Sequence, residues 1–444
     1  MAKDDRKRGR LRQAIFEFRT GPVRDWRVAR ALSRRNRHNA CFVGVTGSSG
    51  KTTTVALLTH ILEGAARVQG QSNHNTINPL IKTLSHLRPD LDYVIAELGV
   101  GQDSPMQTMA TTLKPNVAII TMIGREHYSV FRSREGVAAE KVKLVEALEP
   151  GGLAILNAED NLALGMGERT RAHVVTFGQS DQADYQACDI AARYPDSLSF
   201  QLRHPNGEID LKTRFVGRHF WMAAAAAATT ALELGISPEI VAKRVATFET
   251  PINRCQPIKF VGGPDIILDA AKAPADTLDL AFEILAEADV PFKRLVLGTI
   301  SDYPGSSSPV YRSAYRKARE VADQVVFVGP AANRSRASKE DLDTGRFLAF
   351  ETPQEASEYI LGTARKDELL LIKGSANFHL ERLALAFQHE VKCWESTCGQ
   401  GSDCFRCGHF RKIFDRRAIR RHAWIQRLKA GLKVGKEGNW KWQM

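Results

Sequence analysis

"CFVGVTGSSGKTTTVALLTHIL", residues 41–62, is the stretch on which the fold turns. Its opening residues are apolar and β-branched, as in a buried strand. A Gly/Ser run follows, and Lys51 opens a segment rich in helix-compatible apolar residues. Strand, small-residue loop and helix in that order form a phosphate cradle, because successive backbone N–H groups and the positive end of the helix face one anion. In such a loop Gly47, Ser48, Ser49 and Gly50 present amides to the nucleotide. Lys51 neutralises β/γ oxygens of ATP, and the Thr52 hydroxyl, with Thr53 behind it, holds Mg²⁺. The general pattern G-x-x-x-x-G-K-[ST] asks for glycine at position 45, where this chain has Val45.

Outward from this loop, apolar strand-like runs alternate with helical patterns. "DYVIAELG" and "NVAIITMIG" precede a helix through "EGVAAEKVKLVEAL", and "GLAILN" follows it. The alanine-rich "FWMAAAAAATTALELG" reads as a helix by propensity. A second series opens near residue 256 with "DIILDA", "RLVLGTI", "QVVFVG" and "LLLIKGS". Buried strands alternating with helices predict parallel α/β sheets. The fold class is α/β, a P-loop-type parallel-sheet ATPase domain followed by a Rossmann-like α/β domain. The expected organisation is a basic helical segment (1–40), an ATP-binding domain (41–250), a second α/β domain (251–391) and a Cys-rich basic tail (392–444).

Hydrophobic content of 43% and charged content of 25% suit a globular chain. No apolar run reaches the roughly 18 residues of a membrane span, and the basic N-terminus lacks the apolar core of a secretory signal. A cytoplasmic protein is the expectation. Residues 1–40 carry 13 Lys/Arg against 4 acids and residues 411–444 carry 11 against 2, so each end is +9 and the stretch between them, within a net charge of +12, is −6. Such ends bind nucleic acid or a protein partner, or dock on an acidic body.

In "EGVAAEKVKLVEAL" the apolar Val137, Leu144 and Leu148 share one helical stripe, and Lys141 falls on it. A cation facing a core is costly unless its charge is paired or removed. Lys143, off the stripe, is the surface comparison.

The spelling T-G-S-S-G-K-T-T-T resembles the Mur ligase family, and the resemblance runs from about residue 41 to 390. "NHNTINP" (73–79) resembles the family's Asn-rich segment, with Asn78 where glycine is usual; Asn tolerates left-handed backbone. "AELGVGQ" (96–102) resembles the segment whose acid, here Glu97, helps hold Mg²⁺. "REHYSVFRSREGVAAEKVKLVEAL" implies a metal-binding histidine at His127 and a carbamylated lysine at Lys141. "AILNAED" supplies Asn157, "TPINRCQPI" an arginine for the nucleotide at Arg254, and "ILDAAKAPADT" Asp269 and Lys272. "LLLIKGS" places Lys373 and Ser375 near the amine. The implied activity is ATP-dependent joining of a carboxylate to an amine (an amino acid or peptide) through an acyl phosphate. Two Mg²⁺ ions would serve it, one on Thr52 and Glu97, the other on His127 and carbamylated Lys141. The family's acid substrates are peptidoglycan precursors.

Three features depart from the family. Phe220 and Ala223 stand where it has its adenine-reading asparagine motif, so Phe220 or Trp221 is the candidate to stack on the base. "GTISDYPG" (298–305) alters the amine-side segment. The 40 residues before the first strand are short of a UDP-sugar-binding domain. Two other readings fit the same residues, an ATP-binding pseudo-ligase acting as a scaffold and a nucleic-acid-associated ATPase.

Four of the seven cysteines, Cys393, Cys398, Cys404 and Cys407, lie within 15 residues. In a reducing compartment this density favours a metal, with structural Zn²⁺ the first candidate and free thiols or an iron–sulfur cluster the alternatives. Cys41, Cys188 and Cys255 read as ordinary buried thiols.

Overall fold

A computed structural model describes residues 22–101, 104–124, 131, 133–395, 398–399 and 403–415, with side chains from residue 25 onward. The chain divides into two compact units. The first runs to Cys255 and takes in 286–289 and 302–304, and the second holds the remainder.

In the first unit, helix α1 (Pro22–Asn36) leads into strand β1 (Cys41–Thr46) and helix α2 (Lys51–Leu62). Then come β2 (Val68–Gln71), α3 (Ile77–Ser85), β3 (Tyr93–Glu97), α4 (Met106–Leu113), β4 (Val117–Ile120), α5 (Arg134–Glu146) and β5 (Leu153–Asn157). Strands β6 (His173–Gly178), β7 (Tyr185–Ala191), β8 (Ser199–His204) and β9 (Gly207–Lys212) extend the sheet before α6 (Trp221–Glu233) and α7 (Pro238–Thr247). The nine strands lie in the order β2-β3-β1-β4-β5-β6-β7-β8-β9, parallel through β7 and antiparallel from there. Parallel strands are covered on both faces, which is why their sequences are continuous apolar runs rather than alternating ones. Val43 and Val45 of β1, Ile95 of β3 and Ile119 of β4 are inaccessible to solvent.

That register answers the question at position 45. Val45 pairs with Glu97 on one side and Ile119 on the other, so the strand continues to Thr46 and the loop turns only afterwards. A residue inside a ladder has no need of glycine's extra freedom. Alanines 223–228 of α6 are all buried, and their small side chains let the helix pack closely on α2. Asn78 takes no left-handed backbone, contrary to the expectation from sequence. It lies inside α3, with Pro79 in the first turn, where a missing N–H costs nothing. The left-handed residue of that segment is Asn73, at φ 66°.

The second unit orders its strands β10-β11-β15-β12-β13-β14. They are β10 (Gln256–Lys259), β11 (Asp265–Asp269), β12 (Phe292–Leu297), β13 (Gln324–Val328), β14 (Phe347–Phe350) and β15 (Glu368–Lys373). All pairs are parallel except β10 with β11. Arg294 and Glu368, both buried, form an ion pair at 3.1 Å; burial pushes the Glu368 carboxyl up and the Arg294 guanidinium opposes it. No helix among the described residues is long and apolar enough to cross a membrane.

Candidate active site

In a doubly wound sheet, ligands collect beyond the carboxyl ends of the strands where the order reverses. Here that point is β1, flanked by β3 and β4. Four strand ends deliver side chains to it: the loop 47–50 after β1, Glu97 closing β3, Thr121 after β4 and Asn157 closing β5.

The loop is shaped by two glycines in backbone regions that other residues rarely adopt, Gly47 at φ 147° and Gly50 at φ 81°. A Cβ on Gly47 would lie 1.9 Å from Thr121 Oγ1. Thr121 is therefore packed into the cradle, and its hydroxyl donates to the Ser49 carbonyl at 2.6 Å. Ser48 N donates to Met122 O at 2.7 Å. Below them Asn157 Nδ2 donates to Thr121 O at 2.7 Å, so Asn157 positions the β4 end that braces the loop.

Lys51 and Thr52 open α2 and are buried. Thr52 Oγ1 donates to Glu97 Oε2 at 3.0 Å. Glu97, 3% exposed, accepts two further bonds, from Asn73 N at 2.8 Å and Asn75 Nδ2 at 3.2 Å. A hydroxyl and an aligned carboxylate form the hard-oxygen donor set that suits Mg²⁺.

Lys141, on α5, is wholly buried, as its place on the apolar stripe predicts. Its Nζ donates to Gly47 O at 3.0 Å, and Lys51 Nζ donates to the same carbonyl. Two amines 90 residues apart thus meet on one loop oxygen. Lys143, off the stripe, is partly exposed and pairs with Glu140. Ser133 caps α5, accepting from Gly136 N at 3.1 Å. Asp160 braces the other side, taking Ile123 N at 2.6 Å and Arg134 at 3.2 Å.

His127 lies outside the described residues. Of the two aromatic candidates for the base, Phe220 is buried and stacked on Phe215 at 4.5 Å with the rings 8° from parallel, which commits it to the core; Trp221 is half-buried. Thr53 is buried in α2. Arg254, half-buried, sits between two left-handed residues, Asn253 at φ 61° and Cys255 at φ 48°.

In the second unit Asp269 and Lys373 are register partners at the ends of β11 and β15. Lys373 Nζ donates to Asp269 Oδ2 and to Lys272 O, each at 2.6 Å. Lys272 itself is exposed. Of the three cysteines read as buried, only Cys255 is so; Cys41 and Cys188 sit at partly exposed positions. Sequence reasoning quoted the segments that hold Thr121, Asn75 and Asp160 without singling out these residues, because the partners they meet at the site, Ser49, Glu97 and Ile123, are distant in sequence.

Residues 45–231 match the Mur ligase middle domain. The chain is similar to the UDP-N-acetylmuramoyl-tripeptide–D-alanyl-D-alanine ligase of Escherichia coli K12, 26% identical over 380 residues, which are 84% of this chain and 82% of the relative. MurF of Acinetobacter baumannii superposes with a TM-score of 0.73 at 26% identity, covering 82% of this chain and 80% of that one. MurF of Thermotoga maritima, solved with ADP, shares the fold with a TM-score of 0.72 at 20% identity, covering 83% and 84%. A phosphate loop braced by β4, a hydroxyl–carboxylate pair, a buried lysine at the loop and these likenesses agree: residues 45–231 carry a Mur ligase middle domain, and the chain is similar to Mur ligases over most of its length.

Proposed function

We propose that this chain is an ATP- and Mg²⁺-dependent ligase joining a carboxylate to the amine of an amino acid or peptide. The observation that carries the reading is the meeting of Lys51, Thr52, Glu97 and Lys141 around one glycine loop, within the stretch that matches the Mur ligase middle domain. The substrate carboxylate attacks the γ-phosphorus of ATP, ADP leaves, and an acyl phosphate forms. The amine attacks the acyl carbon, and phosphate departs as the amine loses its proton. Two anions meet in the first step, so the work is charge neutralisation and alignment.

Lys51 neutralises phosphoryl oxygens, and the amides of 47–50 hold them. Mg²⁺ on Thr52 and Glu97 would supply further neutralisation. Lys141 is suited to react with CO₂, losing a proton to become a carbamate. Together with His127 it would offer oxygen and nitrogen donors for a second Mg²⁺. Asn157 keeps Thr121 against the loop. Arg254, Asp269 and Lys272 take their nucleotide roles from the likeness of their segments to the family's, and Lys373 secures the Asp269 strand end.

The E. coli relative is named for adding D-alanyl-D-alanine to a UDP-muramoyl tripeptide, so a peptidoglycan-type peptide acid is the first substrate to test here. Hydroxylamine offered in place of the amine should trap the acyl phosphate as a hydroxamate, with ADP released in equal amount and only when the acid is present. ADP release indifferent to any acid, or stimulated by nucleic acid instead, would overturn the proposal.

A further inference from the structure

Beyond Lys373 the chain runs through residues 374–379 into the short helix Glu381–Leu385. His379 ends this loop, buried and in left-handed backbone at φ 51°. Its Nδ1 lies 3.1 Å from Glu381 Oε1. A carboxylate only accepts, so Nδ1 donates to it, and the other ring nitrogen is left for a second partner. That nitrogen, Nε2, faces Cys398 Sγ at 3.2 Å.

The surroundings are built around this contact. Glu381, 1% exposed, also accepts from Cys404 N at 2.8 Å. Cys404 and Cys407 bracket a single helical turn capped by Asp403. Ligand atoms of His379, Glu381 and Cys404 lie within 4.8 Å of one another. Cys407 is within electrostatic range of Cys398 and Cys393. Arg382, wholly buried, fixes both segments by donating to the carbonyls of Cys393 (2.8 Å), Glu395 (3.0 Å) and His379 (3.1 Å).

We infer a tetrahedral zinc-class site in which His379 Nε2 and Cys398 are two ligands, and two of Cys393, Cys404 and Cys407 complete the shell. Zn–N bonds of about 2.0–2.1 Å and Zn–S bonds of about 2.3 Å put such ligands roughly 3.5 Å apart at a tetrahedral centre, close to the separation found. A carboxylate on the far ring nitrogen is the partner that fixes and strengthens a metal-binding imidazole. Thiolate and imidazole together select zinc over the hard ions suited to Thr52 and Glu97. The cysteine spacing alone does not reveal the histidine, which precedes Cys393 by a helix. The metal staples the Cys-rich segment to the loop that follows Lys373.

The test uses the full chain, purified without chelator, with metal content measured by plasma emission and thiols titrated in the native state. One zinc per chain is expected, with three of the four clustered thiols reacting only after chelation. Cobalt(II) substitution should give sulfur-to-cobalt charge-transfer bands. His379→Ala and Cys398→Ser should lose the zinc and those bands, whereas Cys188→Ser in the first unit keeps both. Should either variant fail to fold by circular dichroism, Glu381→Gln, which preserves shape, should weaken zinc affinity about 10–100-fold. A metal-free native chain with freely reacting thiols, an iron–sulfur chromophore, or zinc retained in both ligand variants would each overturn the inference, leaving the His379–Cys398 contact as a thiol–imidazole hydrogen bond. These readouts do not involve turnover and are independent of the proposed ligase activity.

Discussion

Replacing Lys141 by Met separates the chemical role of this lysine from its structural one. The variant keeps an unbranched stem of similar volume inside the helix stripe, so no cavity opens. Among its contacts it loses the hydrogen bond from Nζ to Gly47 O at 3.0 Å, worth about 1.5–3 kcal/mol for a charged donor. The carbonyl is not orphaned, because Lys51 also donates to it, and, against the uncarbamylated parent, the cost of holding a cation in a site with no solvent exposure disappears. The two terms nearly cancel, leaving about 1 kcal/mol in either direction, a Tm change of roughly 2–4 °C for a unit of this size. Turnover behaves differently. A group that helps place charge at the phosphoryl centre contributes about 2.7–4 kcal/mol to the barrier, so ADP formation should fall by about 10²–10³. Excess bicarbonate should not restore it, since no amine remains to take up CO₂. Calorimetry and the hydroxamate assay measure the two effects separately, and ¹³C-bicarbonate should give a carbamate resonance in the parent that Lys141→Met lacks. A Lys141→Met chain that turns over at the parent's rate would refute both the carbamate and the electrostatic role.

Two further outcomes are expected. Gly47→Ala puts a Cβ 1.9 Å from Thr121 Oγ1 at a φ of 147°; the loop must open, and the thermal stabilisation given by Mg²⁺·ADP should vanish, whereas an undiminished shift would show that the loop does not hold phosphate. At the end of α2, burial and the neighbouring Arg244 cation lower the His60 pKa to about 4, with Arg244 donating to Nδ1 at 3.1 Å. The unfolded chain binds this proton near 6.5 and the folded chain resists until about 4, so the stability present above the unfolded value is lost as pH falls through that window. His60→Gln should flatten the Tm–pH curve between those limits, and an unchanged slope would assign the loss to other groups.

The glycine loop, the parallel character of both sheets and the burial of Lys141 were legible in the chain because each is local. A strand–loop–helix boundary and a helical stripe are written in spacings of two to four residues, and elementary packing converts them into structure. His127, both extreme ends and part of the Cys-rich segment fall outside the described residues, so their expected roles rest on sequence alone. What only the tertiary structure decided are the meetings between distant segments. Sheet order brings Glu97 beside Val45 and exempts position 45 from glycine. It sets Asp269 against Lys373 across 104 residues and packs Phe220 onto Phe215 instead of leaving it free. Chain reversal carries His379 to Cys398. Spacing along a sequence encodes which face a residue takes on its own element. Which neighbour that face meets depends on the order in which strands and loops are laid side by side, and that is a property of the whole fold.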